Sequence, residues 1–217
     1  MDEHEKFIKA TKGSFPERLL ALKEVFPAEV RNRILLNAAH NTQPLNEDPA
    51  LNWIHKLLSR YHGDRINTML YSDFKDSLPG DMLTKVDWMS MKNSLEVRVP
   101  FLDHHVAELA FQMQGSLKLY KGKTKYILKE TFKKLLPPSL LRRPKAGFEV
   151  PISRWLKTDL KFLIEDYLFE KRIKDQGIFD YNIINNLVND HLKNKTDTSW
   201  MLWNLIVFQF WYEKYFT

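Results

Sequence analysis

The chain has 217 residues, of which 44% are hydrophobic and 28% are charged, as is typical of a folded protein with one large or two small domains. It contains no cysteine, which excludes disulfide bonds, thiolate metal sites and a cysteine nucleophile. The formal net charge is +6, and its uneven distribution along the chain is more informative about binding partners than its size.

Helical patterns dominate the amino-terminal half. Ser14 and Glu17 have the spacing of a capping box, with Pro16 in the first turn, which predicts a helix start just before Arg18. Asp48 followed by proline predicts another start. The predicted helices are 18–25, 30–36, one that begins after Asp48, 66–74 and 81–91, with a stop at Leu78-Pro79-Gly80.

The stretch 95–101 has a different period. Apolar and other residues alternate strictly, and this two-residue period predicts an extended segment rather than a helix. The apolar positions are Leu95, Val97, Val99 and Phe101, and the positions between them are Glu96, Arg98 and Pro100.

In the carboxy-terminal half we predict helices at 106–113, 123–136, 153–168, 180–193 and 199–215, with an irregular loop at 137–151. The last helix is apolar all round, which predicts an interior position. No hairpin signal and no alternation of strands and helices is evident. We therefore predict a mainly α fold that forms a single compact helical domain.

The most apolar run, 200–212, is too short to span a bilayer, and the acidic amino terminus does not have the pattern of a signal peptide. We expect a cytoplasmic protein without a membrane partner.

A basic cluster occupies residues 118–145, with ten Lys or Arg against one acid, Glu130. Such a local excess favours a bound anion. No helix-turn-helix, zinc-finger or RNA-binding motif accompanies it, so nucleic acid is not expected and a polyphosphate ligand fits the cluster equally well. On composition alone, a solvated basic helix face is an equally good explanation of the cluster. The seven glycines form neither a Walker loop nor a dinucleotide fingerprint, so another segment must supply most of any nucleotide cradle.

Lys145 lies between Pro144 and Gly147 in the irregular loop, where helix packing does not fix its direction. An ammonium group held there suits the stabilisation of charge on a transferring phosphoryl or acyl group. Lys123 and Lys125 would add donors for phosphate oxygens. From the residues alone, simple solvent exposure is the better explanation of all three lysines.

Three carboxylates, Asp87, Glu96 and Asp103, alternate with basic residues near apolar neighbours. This pattern favours a partly buried ion-pair network that holds a loop beside a site over acid–base catalysis. His104 and His105 are adjacent, and we expect their side chains to point apart. We therefore predict no metal site.

Three strings, at 94–104, 121–130 and 143–148, closely resemble the carboxy-terminal part of the synthetase domain of glutamine-hydrolysing asparagine synthetases. They read Ser-Leu-Glu-Val-Arg-Val-Pro-Phe-Leu-Asp-His, Lys-Gly-Lys-Thr-Lys-Tyr-Ile-Leu-Lys-Glu and Arg-Pro-Lys-Ala-Gly-Phe. The resemblance extends from about residue 6 to residue 217. It implies the helical part of an adenine-nucleotide α-hydrolase-like (ATP-pyrophosphatase) domain.

The resemblance implies that MgATP activates aspartate as an acyl-adenylate, which ammonia derived from glutamine converts to asparagine. Lys145 would then lie near the reacting acyl-phosphate, and Lys125, with Lys123, near phosphate. Asp87, Glu96, Arg98 and Asp103 would support the site. ATP and Mg would be bound largely by residues absent from this chain, in the amino-terminal half of the same protein.

The chain departs from the family pattern in three ways. Trp88 stands where the family usually has arginine, and both the Ser-Gly-Gly-x-Asp-Ser pyrophosphate loop and the cysteine-containing glutaminase domain are missing. We therefore expect residues 1–217 to be a truncated synthetase domain that is inactive alone. The alternatives are a related amidoligase for another carboxylate, a non-catalytic helical module that binds a partner, and nucleic-acid binding through the basic cluster.

Overall fold

The computed structural model describes residues 8, 11–36, 48–144, 147 and 150–216. The mainly helical fold is confirmed. Within this helical fold, the described residues form two compact units. The first unit comprises the described residues within Met1–Leu51 and Phe148–Thr217, and the second comprises those within Asn52–Gly147.

The regular elements are short helices joined by tight turns. In chain order the α-helices are α1 (Phe15–Lys23), α2 (Ala28–Ile34), α3 (Pro49–Leu58), α4 (Arg65–Lys75), α5 (Thr84–Lys92), α6 (His104–Gln112), α7 (Gly115–Lys118), α8 (Tyr126–Phe132), α9 (Pro138–Arg142), α10 (Ile152–Trp155), α11 (Lys161–Tyr167), α12 (Glu170–Gln176), α13 (Tyr181–Leu192) and α14 (Ser199–Phe216). A π-helical turn covers Leu78–Leu83, a 3₁₀ turn covers Pro100–Leu102, and an antiparallel hairpin joins β1 (Leu119–Tyr120) to β2 (Lys123–Thr124).

The first unit has a continuous apolar core. Leu156, Ile173, Ile184 and Leu202, from the segment after α10 and from α12, α13 and α14, are fully buried there. A fully buried aliphatic side chain contributes about 1.5–3 kcal/mol relative to an exposed one. The core therefore holds the carboxy-terminal helices of this unit together.

His191 in α13 is a fully buried polar residue of the first unit. Its Nε2 lies 3.1 Å from the carbonyl oxygen of Ser153, and its Nδ1 lies 3.6 Å from a carboxylate oxygen of Asp197. Burial lowers the pKa of His191, assisted by the charge of Lys157, and this outweighs the attraction of Asp197. The imidazole is therefore neutral at pH 7 and donates to Ser153 through Nε2.

This burial makes stability depend on pH. Below the unfolded-state pKa of 6.5, the unfolded chain binds a proton that the folded chain does not. We expect the free energy of unfolding to fall between about pH 7.5 and about pH 5.5, by up to about 1.4 kcal/mol per pH unit. Urea unfolding at the two pH values measures this. The His191→Gln variant should lose the dependence, whereas His62→Gln, at an exposed position, should keep it; equal slopes in both variants would contradict the assignment.

The second unit begins with a small aromatic cluster. Tyr61 stacks on Tyr71 with ring centroids 4.8 Å apart, and Phe111 approaches both rings and Phe74 edge-on. Beyond this cluster the unit has little interior. Among the described residues from 84 to 142, Gly115 alone is buried.

Several predicted boundaries are wrong. The expected stop at Leu78-Pro79-Gly80 is a π-helical turn that continues into α5, and Thr84 Oγ1 donates to the Pro79 carbonyl at 2.7 Å. The predicted helix 153–168 is interrupted between α10 and α11. The predicted loop 137–151 contains α9, and α12, which ends at Gly177 with φ +66°, was missed.

The last helix, α14, was predicted to be buried on all sides, but one of its faces is exposed. Leu202, Leu205 and Ile206 are buried, but Trp200 is 53% exposed and Phe210 is 60% exposed. In the part of the chain that the structure describes, none of the helices combines the length and the apolar character needed to cross a bilayer.

Candidate functional site

Helix α5 presents Asp87 and Trp88 to solvent. Trp88 is 68% exposed, and Asp87 is also exposed. Lys85 pairs with Asp81, one turn earlier, at 3.6 Å. Ser90 Oγ donates to the carbonyl oxygen of Asp87 at 3.1 Å, so this hydroxyl satisfies the helix backbone and is not a nucleophile candidate.

The segment after α5 holds Glu96 and Arg98, which form an ion pair with each other. The Arg98 side chain is 88% exposed and that of Glu96 is 68% exposed. The prediction of a partly buried ion-pair network is therefore wrong. The charges form separate surface pairs, because the segment that carries them packs against no interior within the described chain. The extended segment is also shorter than predicted, since the 3₁₀ turn begins at Pro100.

Asp103 caps α6 and contacts His105, whose ring lies against that of His104. Its Oδ1 accepts from the backbone N–H of His105 at 2.9 Å and lies 3.2 Å from His105 Nδ1. The rings of His104 and His105 are 3.7 Å apart, so the expectation that they point apart is wrong. One ligand atom from each of the three residues lies within 4.8 Å of the others, and all three residues are exposed.

The hairpin carries the lysines predicted to bind phosphate. Its two-residue turn, Lys121-Gly122, has φ values of +47° and +77°, as a type I′ turn requires. The helix predicted at 123–136 is therefore wrong at its start, where Lys123 lies in β2 and pairs with Tyr120. Lys125 follows with φ +56° and is the residue immediately before α8. The hairpin places Lys121, Lys123 and Lys125 on an exposed, tightly folded loop.

Lys118, in contrast, is held in a structural network that sequence reasoning missed. Its Nζ donates to Asn67 Oδ1 and lies 5.1 Å from the centroid of the Phe111 ring. Asp64 caps α4 and accepts from the Asn67 and Gly115 backbone N–H groups at 3.0 and 2.8 Å. The only sequence signal was an Asp at a helix start.

The same network shifts two pKa values. The backbone hydrogen bonds from Asn67 and Gly115 lower the pKa of Asp64 below its ordinary value. Burial lowers the pKa of Lys118, in spite of the opposing attraction of Asp64. Gly115 must be glycine, since an added Cβ would lie 2.3 Å from Asp64 Oδ1. Lys118 is thus a structural lysine of the basic cluster and not a free cation.

Lys145, the predicted catalytic residue, lies outside the described residues, as do Ala146, Phe148 and Glu149. Its role stays a prediction from the sequence.

The first unit contains an open cleft of about 510 Å³ near α12 and α14. Its lining includes Arg172, which donates to Gln209 and to Glu213 at 3.3 and 3.0 Å. None of the predicted site residues that the structure describes lines this cleft. The cleft therefore gives no support to the predicted site.

A protein-family model described as asparagine synthase matches residues 7–213. The chain therefore belongs to the asparagine synthase family. It is 37% identical over 147 residues to asparagine synthetase [glutamine-hydrolyzing] 1 of Bacillus subtilis (strain 168), which covers 68% of this chain and 23% of that protein. It is also 33% identical over 149 residues to a putative asparagine synthetase [glutamine-hydrolyzing] of Mycobacterium bovis, covering 69% of this chain and 23% of that protein.

The chain thus spans about a quarter of the length of these relatives. No solved structure matches the chain.

Proposed function

We propose that this chain is part of a glutamine-hydrolysing asparagine synthetase that acts in the cytoplasm. The observation that carries the proposal is the family match over residues 7–213, together with 37% identity to a Bacillus subtilis protein of that name. The exposed lysines of the hairpin support it, because they give an anionic substrate such as ATP a basic surface.

The proposed chemistry has two steps. A carboxylate oxygen of the aspartate side chain attacks the α-phosphorus of ATP, and pyrophosphate leaves. Ammonia released from glutamine then attacks the acyl carbon, the bond to AMP breaks, and a proton is lost as asparagine forms. Lys145 would stabilise negative charge that develops on the acyl-phosphate, and Lys123 and Lys125 would bind phosphate oxygens.

The described residues suit the phosphates of ATP better than its metal ion. Mg²⁺ prefers oxygen ligands in octahedral geometry. Glu96 forms an ion pair with Arg98. The carboxylate of Asp103 accepts from the backbone N–H of His105 and lies next to the His105 ring. We therefore assign Mg²⁺ and most of the nucleotide to the rest of the synthetase polypeptide. Asp87, Glu96, Arg98 and Asp103 would support the site without taking part in the reaction.

The function is tested with a chimera of the Bacillus subtilis relative in which this chain replaces the region that aligns with it. We expect the isolated chain to show no aspartate-dependent ATP–pyrophosphate exchange, because a reaction of this type depends on substrate positioning that a partial site does not supply. The chimera should show exchange and should form asparagine.

Glutamine hydrolysis by the chimera serves as the folding control. A chimera that hydrolyses glutamine but forms no asparagine would contradict the proposal. ATP–pyrophosphate exchange that depends on another carboxylate, and not on aspartate, would indicate the related amidoligase. Trp88, which stands where the family usually has arginine, is the reason to consider that alternative. Exchange by the isolated chain would show that it holds a complete adenylation site.

A further inference from the structure

The segment Leu95–Val99, which we call the docking strand, carries an exposed row of apolar side chains. Leu95 is 59% exposed, and Val97 and Val99 are each 43% exposed. Every residue from 91 to 101 is exposed. Residues with β-branched side chains favour extended structure, and an alternating apolar row is typical of a strand with one covered face.

The backbone of the docking strand lacks partners as well. Leu95 N–H donates to the Ser90 carbonyl at 2.9 Å, and the Val99 carbonyl accepts from Leu102 N–H at 2.9 Å. Between these two anchors, the N–H groups of residues 96 to 99 donate to no acceptor among the described residues. Unpaired backbone groups of this kind are the feature of an edge that accepts another strand.

The side chains already show the period of a strand. Glu96 pairs with Arg98, so the side chains at these two positions lie on the same side of the backbone. In an extended chain Leu95, Val97 and Val99 then lie on the opposite side. The docking strand therefore has one charged face, whose charges neutralise each other, and one apolar face.

The strand is held at a defined place. Helix α5 ends one turn before it, and Ser94, with φ +55°, turns the chain while its N–H donates to the Met91 carbonyl at 3.0 Å. Trp88 and Met91 on this helix are 68% and 61% exposed. The end of the helix and the strand thus both carry exposed apolar side chains, a few residues apart in the chain.

We propose that the docking strand adds to the edge of a β-sheet in the remaining part of the synthetase polypeptide, with Trp88 and Met91 covering the same contact. The occupant follows from the family membership and from the 23% of the relatives' length that this chain spans, which leaves a far larger region to supply the sheet. β-Strand addition supplies backbone acceptors for the unpaired N–H groups and an apolar surface for alternate side chains. This inference rests on the proposed function.

Amide hydrogen exchange tests the inference. In the isolated chain the amides of residues 96 to 99 should exchange at the rate of an unstructured peptide. In the chimera described above they should be protected by at least about 100-fold, since strand pairing must open before exchange occurs. Protection in the isolated chain that rises with its concentration would show that a second copy covers the strand, and would overturn the inference.

Two matched variants make the contact specific. Val97→Asp should lower the protection of the neighbouring amides in the chimera and leave the urea unfolding of the isolated chain unchanged, since Val97 is half exposed there. Leu135→Asp, at a position that is 78% exposed and outside the docking strand, should leave the protection unchanged. Equal effects of the two substitutions would overturn the inference.

Failure of this inference is distinguishable from failure of the proposed function. A chimera that forms asparagine while the amides of residues 96 to 99 stay unprotected rejects the docking strand alone. Protected amides in a chimera that hydrolyses glutamine but forms no asparagine reject the proposed reaction alone.

Discussion

Replacing Leu202 with alanine is expected to lower the free energy of unfolding of the first unit by about 2–5 kcal/mol. Leu202 in α14 is fully buried and belongs to the core cluster of the first unit, together with Leu205 and Ile206 of the same helix. Truncation removes its contacts and leaves a cavity that short, mutually packed helices fill poorly. Urea unfolding measured at about pH 8, above the range in which His191 binds a proton in the unfolded chain, isolates this effect.

Val207→Ala is the matched control, because Val207 lies on the same helix and is 50% exposed. It should change stability by less than about 1 kcal/mol. A loss for Val207→Ala as large as that for Leu202→Ala would mean that the apolar outer face of α14 is also covered. The same pair of variants therefore tests which face of this helix the core uses.

The sequence predicted helices best where a cap and an apolar period coincide. Helix α13 is an example: it begins at Tyr181, one residue after its predicted start, and the side chain of Asp180 caps it by accepting from Asn182 N–H at 2.8 Å. The capping box is also present, since Ser14 N–H donates to Glu17 Oε2 at 2.6 Å. These features are local, so they can be recognised without knowledge of what the helix packs against.

The hairpin was missed because its signal is weak. A type I′ turn favours Asn-Gly or Asp-Gly, and here Lys121 takes the first left-handed position at +47°. Each strand has only two residues, which is too short for an alternating pattern. The run of lysines that follows resembled a continuous helix, and only the backbone conformation separates β2 from α8.

The burial of apolar and charged residues was predicted least well. Hydrophobicity indicates that burial of a side chain is favourable, but it does not indicate which surface the side chain packs against. Helix α14 is apolar all round and yet keeps Phe210 60% exposed, and Glu96 and Arg98 lie on the surface of the described chain although their neighbours are apolar. In both cases the sequence shows which residues are apolar or charged, but not which of them the described units bury.

Replacing Lys145 with alanine in the chimera is expected to lower aspartate-dependent ATP–pyrophosphate exchange by about 10²–10³-fold, the usual cost of removing one group that stabilises charge in the transition state. The reason is electrostatic: we propose that the ammonium group neutralises charge on the acyl-phosphate as pyrophosphate leaves. The loss should fall on kcat more than on KM for ATP, because such an interaction is strongest in the transition state.

Lys145→Arg discriminates between charge and geometry. A planar guanidinium keeps the charge but not the compact shape of an ammonium group, so we expect only partial recovery. Lys134→Ala, at an exposed lysine of the same basic cluster, should retain most of the activity, and glutamine hydrolysis should be unchanged in all three variants. If Lys145→Ala and Lys134→Ala lowered exchange equally, the basic cluster would act only by attracting ATP, and Lys145 would have no distinct role in the reaction. A loss confined to Lys145→Ala would instead indicate that the developing charge is stabilised by Lys145 itself.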